Sequence, residues 1–273
     1  MSIDAHVHVW TDDRRRYPRI TGEAESRPDR FTPEDYFSHA RPAGVTRAVL
    51  IQMSFYRFDN SYMLDTIRAH PGKFSGVGIV DSTSSNPGQA MDDLAKRGVR
   101  GFRITPGNSP NTWLETPGMD AMWRTGAKRK LATCPLVNPN ALGSIDRMCA
   151  KHPDTPVVID HLARVGGDGE IRDADIRLLC GLAKHRNATV KVSAFYALGR
   201  KAAPYTDLAP LIQRVFEDFG PRRLLWASDA PFQVQDGHTL VASISLIRSG
   251  LPFLSNDDRE WLLRKTAESI FFH

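Results

Sequence analysis

Two histidines one residue apart, within an apolar run, open the chain as Asp4-Ala5-His6-Val7-His8. Side chains alternate along a strand, so His6 and His8 project the same way. Buried imidazole nitrogens need partners, which makes two inward histidines costly as mere filling. A third, His161, directly follows Val157-Val158-Ile159-Asp160. Asp229 ends Leu224-Leu225-Trp226-Ala227-Ser228, where a carboxylate can take a proton from water or bind a metal. Arg103 closes Val99-Arg100-Gly101-Phe102-Arg103-Ile104, and its forked guanidinium suits a substrate carboxylate. Arg100, deeper in the run, reads as solvated or structurally paired. Each residue also has a plain structural reading. His161 could be a loop histidine bonded to backbone, and Asp229 a helix cap.

Something must bring these residues together. Short apolar runs occur at 3–9, 48–52, 74–80, 99–104, 131–137, 157–159, 190–194 and 224–227. Their length and Val/Ile content suit buried parallel strands. Between them lie punctuated helices. Thr32-Pro33, Asn86-Pro87 and Thr116-Pro117 each place an N-cap before a first-turn proline, while Gly44 and Gly98 end two of the segments. Leu208, Leu211, Ile212, Val215, Phe216 and Phe219 form an amphipathic stripe stopped by Gly220-Pro221. Ser255 starts a last helix, with Asp258 placed to complete a capping box. Eight alternating units without a composition break predict one (β/α)8 barrel domain over residues 1–273. A doubly wound sheet fits less well, because no glycine-rich phosphate turn follows the first strand. Right-handed connections put all strand carboxyl ends on one rim. The four signals then fall on strands one, four, six and eight.

The bulk properties exclude several classes. The 273 residues carry a net charge of +5, spread along the chain apart from the arginines at 14–16. Nucleic-acid binding is not expected without a recognition motif or clustered charge. A basic field around a cleft for an anionic small molecule fits better. No apolar run reaches the roughly 20 residues of a membrane span. Three cysteines without CxxC spacing suggest a reduced compartment, so a cytoplasmic protein is expected. Cys134 reads as a buried structural thiol.

The residues as a set resemble the amidohydrolase-related family of barrel hydrolases. The His-x-His on strand one, His161 on strand six and Asp229 on strand eight match its recurring pattern. Gln52-Met53-Ser54-Phe55-Tyr56, Lys191-Val192-Ser193-Ala194 and Trp226-Ala227-Ser228-Asp229-Ala230-Pro231 resemble its lactonase branch, which includes 2-pyrone-4,6-dicarboxylate and sugar-acid lactonases. Two positions depart. Strand five reads Cys134-Pro135-Leu136-Val137-Asn138, without the histidine many metal-using members carry, and Phe232 stands where a histidine often follows Asp-x-Pro.

The resemblance implies hydrolysis of a carboxylated or polyhydroxylated lactone. Asp229 would be the general base, and His6, His8 and His161 would hydrogen-bond the carbonyl oxygen. Arg103, Tyr56, Tyr196 and Arg200 would bind substrate, with Lys201 beside them. The cofactor is either none or one divalent ion, zinc or manganese, on His6, His8 and Asp229. Two other readings remain at this stage. One is a metal-dependent decarboxylase or hydratase of an unsaturated acid; the other is a barrel that binds a small molecule without turnover. Homo-oligomer formation is compatible with either.

Overall fold

The computed structural model describes residues 1–20, 28–106 and 110–273. Eight strands run in chain order around one parallel sheet: β1 (Ser2–Val7), β2 (Val45–Ile51), β3 (Phe74–Gly78), β4 (Val99–Ile104), β5 (Ala132–Pro135), β6 (Val157–Ile159), β7 (Ala188–Ser193) and β8 (Leu224–Ala227). A helix follows each: α1 (Pro33–Ala40), α2 (Ser61–Ala69), α3 (Pro87–Ala95), α4 (Pro117–Arg129), α5 (Leu142–Lys151), α6 (Asp173–Cys180), α7 (Ala209–Phe219) and α8 (Leu240–Ser245). This is the expected (β/α)8 barrel. Thr32, Asn86 and Thr116 each accept a backbone N–H of their helix's first turn, and Ser255 forms the capping box with Asp258. Leu211, Ile212, Val215 and Phe219 are buried on one face of α7, as their 3.6-residue spacing requires.

Two apolar layers hold the barrel. One lies between sheet and helices. The other fills the interior with Ile3, Val49, Val77, Val158 and Leu225, against which Phe271 of the C-terminal helical segment packs. Between β1 and β8 no regular ladder forms. The barrel closes there by the Val7–Ala230 bridge and two hydrogen bonds, from Asp229 N to His6 O (2.9 Å) and His8 N to Ala230 O (2.8 Å).

The register of β1 against β2 shifts between Asp4 and Val7, a β-bulge. It changes which residues face in. Ile3 and Ala5 belong to the interior layer, and Asp4 turns outward to meet the Tyr36 hydroxyl of α1 at 3.2 Å. Beyond the bulge, Val7 joins the layer under the helices while His6 and His8 point inward. Simple alternation would have put Asp4 on the histidines' side. The bulge separates them.

Candidate active site

A cavity of about 850 Å³ opens at the carboxyl ends of the strands. His8, Arg103, His161, Tyr196 and Asp229 line it, and His6 lies fully buried beneath. Five elements thus bring six of the expected residues to one point. Tyr56 and Arg200 do not join them. Tyr56 is packed between Phe55 and Tyr62, with its hydroxyl 3.5 Å from Thr11 N. Arg200 is exposed, and its backbone N–H is tied to Asp207 Oδ2 at 2.7 Å, outside the cavity. Both placements share a cause: a residue near a strand end in sequence need not face the mouth, because the loop geometry decides.

Partners at the far side of each ring set the hydrogens on the histidines. His8 Nδ1 faces Ile51 O at 2.9 Å; a carbonyl only accepts, so this nitrogen donates. His161 Nδ1 lies 2.9 Å from Ser193 Oγ, which itself donates to Lys191 O. His6 differs: Arg103 Nη2 donates to its Nε2 at 2.7 Å, while its Nδ1 lies 3.4 Å from Asp160 Oδ1 and 3.1 Å from Lys191 Nζ, so cations stand at both nitrogens. In their neutral forms, His8 and His161 therefore aim an Nε2 lone pair at the space around Asp229, while Arg103 occupies that of His6. Asp229 Oδ2 accepts from the Tyr196 hydroxyl at 2.7 Å. Its Oδ1 lies 3.4 and 3.3 Å from His6 and His8 Nε2 and has no hydrogen-bond donor. The floor is rich in acceptors, with Arg103 its main donor.

Buried charges hold this arrangement. Asp160 and Lys191 are both fully buried, with Lys191 Nζ 2.9 Å from Asp160 Oδ1 and 3.1 Å from His6 Nδ1. Arg103 Nη2 reaches Asp160 Oδ2 at 3.3 Å. Burial, and then the Lys191 charge, keep His6 neutral well below the usual histidine range. Burial opposes the charge on Asp160, but Lys191 and the other neighbours outweigh it and hold the group well below the carboxylate range. His161 is lowered to about 4, chiefly by burial. Burial also opposes the charge on Asp229, but interaction with the protonated forms of His161 and His6 and the His8 contact hold its carboxyl below the usual carboxylate range. Asp160 and Lys191 were visible in the sequence without a role. The signal was a lysine inside the apolar run Ala188-Thr189-Val190-Lys191-Val192, where only an anionic partner makes burial tolerable.

The mouth is built on unusual backbone. His161, Leu162, Ala163 and Arg164 all have φ between +52° and +56°, a full left-handed turn. Such residues cost roughly 1–2 kcal/mol each. The turn keeps His161 inward and brings Arg164 to the cavity wall. Gly199 N donates to Gly166 O at 2.9 Å, joining this turn to the loop after β7. Gly199 has φ +56°, and a Cβ there would lie 2.3 Å from Asp207 Oδ2. The junction places Lys201 on the same wall as Arg164. Both side chains are exposed and, among the described residues, without a hydrogen bond or ion pair. Met53, Ile79, Leu136 and Phe232 add apolar lining, interspersed with Ser54, Thr105 and Asn138. Phe232 packs edge-on to His8 and stacks on Tyr196. Cys134 is fully buried and its thiol pushed up to about 12 by burial, as suits a structural residue.

The donor spacing alone would suit a metal. His6, His161 and Asp229 offer ligand atoms within 4.8 Å of one another, and the sequence-derived set with His8 is equally compact. The charges do not fit. The Arg103 guanidinium sits 2.7 Å from His6 Nε2, on the lone pair an ion would need, and Lys191 covers the other nitrogen. A divalent ion would join two cations already against one ring, and β5 supplies no histidine to offset them.

The amidohydrolase family profile matches residues 3–272. An L-fucono-1,5-lactonase of Burkholderia ambifaria is 29% identical over 245 residues, 86% of this chain and 82% of that protein. A 4-sulfomuconolactone hydrolase of Rhizobium radiobacter is 28% identical over 237 residues, 84% of this chain and 75% of that one. In fold, an amidohydrolase of Burkholderia multivorans crystallised with bound HEPES superposes with a TM-score of 0.84 at 17% identity, covering 100% of this chain and 99% of its own. A match running through all eight strands and the rim that carries His6, His161 and Asp229 means that the chain belongs to the amidohydrolase family.

Proposed function

We propose that this chain hydrolyses lactones bearing an anionic substituent, with Asp229 as general base and without a metal ion. The observation that carries the reading is the Asp229 carboxylate. One oxygen is fixed by Tyr196, and the other is free of donors beside the lone pair of His8. A water in that space donates one hydrogen to Asp229 Oδ1 and the other to a histidine Nε2, turning its own lone pair toward the cavity. As it attacks the lactone carbonyl, its proton passes to Asp229. The ring C–O bond then breaks, and the departing oxygen takes that proton back. Atoms and charge balance without a second reagent. Arg103, the donor on the floor, meets the developing oxyanion, a role that neutral histidines with Nε2 lone pairs cannot fill.

The lactone class is supported by the two relatives, both of which act on cyclic esters by name. The anionic preference is supported by the wall. Among the described residues, Arg164 and Lys201 have no ion-paired carboxylate, so two cations on the cavity wall are available to an anionic substituent. The lyase reading rested on a metal and loses its footing here.

The test is the specificity constant on three lactones: neutral L-fucono-1,5-lactone, 4-sulfomuconolactone and 2-pyrone-4,6-dicarboxylate. At least one anionic lactone should exceed the neutral one by about tenfold or more, as expected for a charged hydrogen bond kept in the transition state. Lys201→Ala and Arg164→Ala should each raise KM for the anionic substrate and leave the neutral one unmoved. A preference for the neutral sugar lactone would overturn the anionic reading. Turnover of none of the three would count against lactone hydrolysis itself.

A further inference from the structure

The catalytic groups sit on the two strands between which the barrel has no regular ladder. His6 lies in β1 and His8 just after it, Asp229 follows β8, and one bridge and two backbone hydrogen bonds join them. Their relative placement also depends on two irregular conformations: the bulge between Asp4 and Val7, and the left-handed backbone of Asp229, with φ +69°. Each needs something to hold it.

A single buried carboxylate touches both. Asp4 Oδ1 accepts from His6 N at 3.3 Å, on the bulge, and from Ser228 N at 2.8 Å, across the seam. Asp4 Oδ2 accepts from Ser228 Oγ at 2.5 Å and from the Tyr36 hydroxyl at 3.2 Å. Ser228 Oγ in turn accepts from Ala230 N at 2.9 Å, so the serine brackets Asp229 from both sides. We infer that Asp4 is a positioning residue: through Ser228 it sets the left-handed turn of Asp229, and through the bulge it sets the inward aim of His6. Asp4 and Ser228 are fully buried, and neither lines the cavity. Their influence on the reaction must pass through Asp229 and His6.

The inference rests on Asp229 being the general base, so the experiment separates the two. On whichever of the three lactones is turned over fastest, kcat and KM are measured for Asp229→Asn, Asp4→Asn, Ser228→Ala and Tyr36→Phe, at a temperature well below each variant's Tm. Asp4→Asn keeps the volume, but its amide hydrogens face donors at Ser228 and Tyr36. Its kcat should fall roughly 100-fold with KM within about threefold, the signature of a base displaced by about an ångström rather than a lost binding contact. Ser228→Ala should lose kcat in the same direction. Tyr36→Phe removes only the contact remote from the seam and should stay within about threefold of wild type. If Asp4→Asn does not fold, Ser228→Ala carries the test alone.

The His6 and His8 ring nitrogen resonances give a reading independent of turnover. They should shift in Asp4→Asn and stay in place in Tyr36→Phe. If Asp229→Asn abolishes turnover while Asp4→Asn and Ser228→Ala keep wild-type kcat, the positioning role is wrong and the base assignment stands. If Asp229→Asn retains turnover, the base assignment fails first. Unmoved histidine resonances in Asp4→Asn would then overturn the positioning role as well.

Discussion

The two ends of the barrel interior are built on opposite terms. Beneath the site, Ile3, Val49, Val77, Val158 and Leu225 meet Phe271 in an apolar layer. At the carboxyl ends, within a few residues of the same strands, lie a bulge, a left-handed turn at His161–Arg164, a left-handed Asp229 and the buried charges Asp160, Lys191 and Arg103. The lower layer gains free energy by removing carbon from water. The upper one gives some of it up, in strain and desolvation, to hold groups in positions they would not choose alone. Stability and chemistry should therefore separate along the barrel axis.

The largest expected effect is at the upper end. Asp229→Asn keeps the shape and the Tyr196 contact but removes the base, and should cost between about 10² and 10⁴ in kcat with little change in Tm. The lower end should show the reverse. Val158→Ala or Leu225→Ala should cost about 2–4 kcal/mol of unfolding free energy in a denaturant titration, with kcat preserved in the folded fraction. Loss of kcat without loss of stability in Leu225→Ala would break the division.

Acid should act on the upper end with two opposite signs. His161 titrates near 4 in the folded chain against 6.5 unfolded, because it is buried. The unfolded chain therefore takes up a proton that the folded one refuses, and stability falls as pH drops from 6.5 to about 4. Asp4 is raised from 3.8 to about 6 by burial, so the folded chain takes the proton first, and this term stabilises as pH falls through 6 toward 3.8. Relative to wild type, His161→Gln should gain Tm on acidification and Asp4→Asn should lose it. Parallel curves for either variant would remove that group from the account. The smallest effect concerns strain alone. Ala163→Gly, at φ +52°, should stabilise by about 0.5–1 kcal/mol, in contrast with the usual cost of a glycine.

Much of the frame was legible in the sequence, because it depends on short-range rules. Val/Ile runs, the caps at Thr32, Asn86 and Thr116, and the α7 stripe each report on a few neighbouring residues. His6, His8, His161, Asp229 and Arg103 were legible because strand ends in a parallel barrel converge on one rim. What escaped depends on pairing across the fold. Asp160 and Lys191 acquire meaning only when β6 and β7 bring them within 2.9 Å. The bulge that parts Asp4 from His6 is a register shift against β2, which β1 alone does not reveal. Arg164 reaches the wall by a left-handed turn of Leu and Ala residues, the opposite of their local preference. Tyr56 and Arg200 lie outside the cavity for the same reason, since their loops turn them elsewhere.

The central claim is that protein groups alone activate the water. The most direct test is the turnover of chelator-dialysed, metal-analysed protein on its best lactone, before and after adding zinc or manganese. With Arg103 on the His6 lone pair, kcat should be the same in all three samples. Loss of turnover on metal removal, with recovery at one ion per chain, would contradict the account and put His6, His161 and Asp229 around a metal.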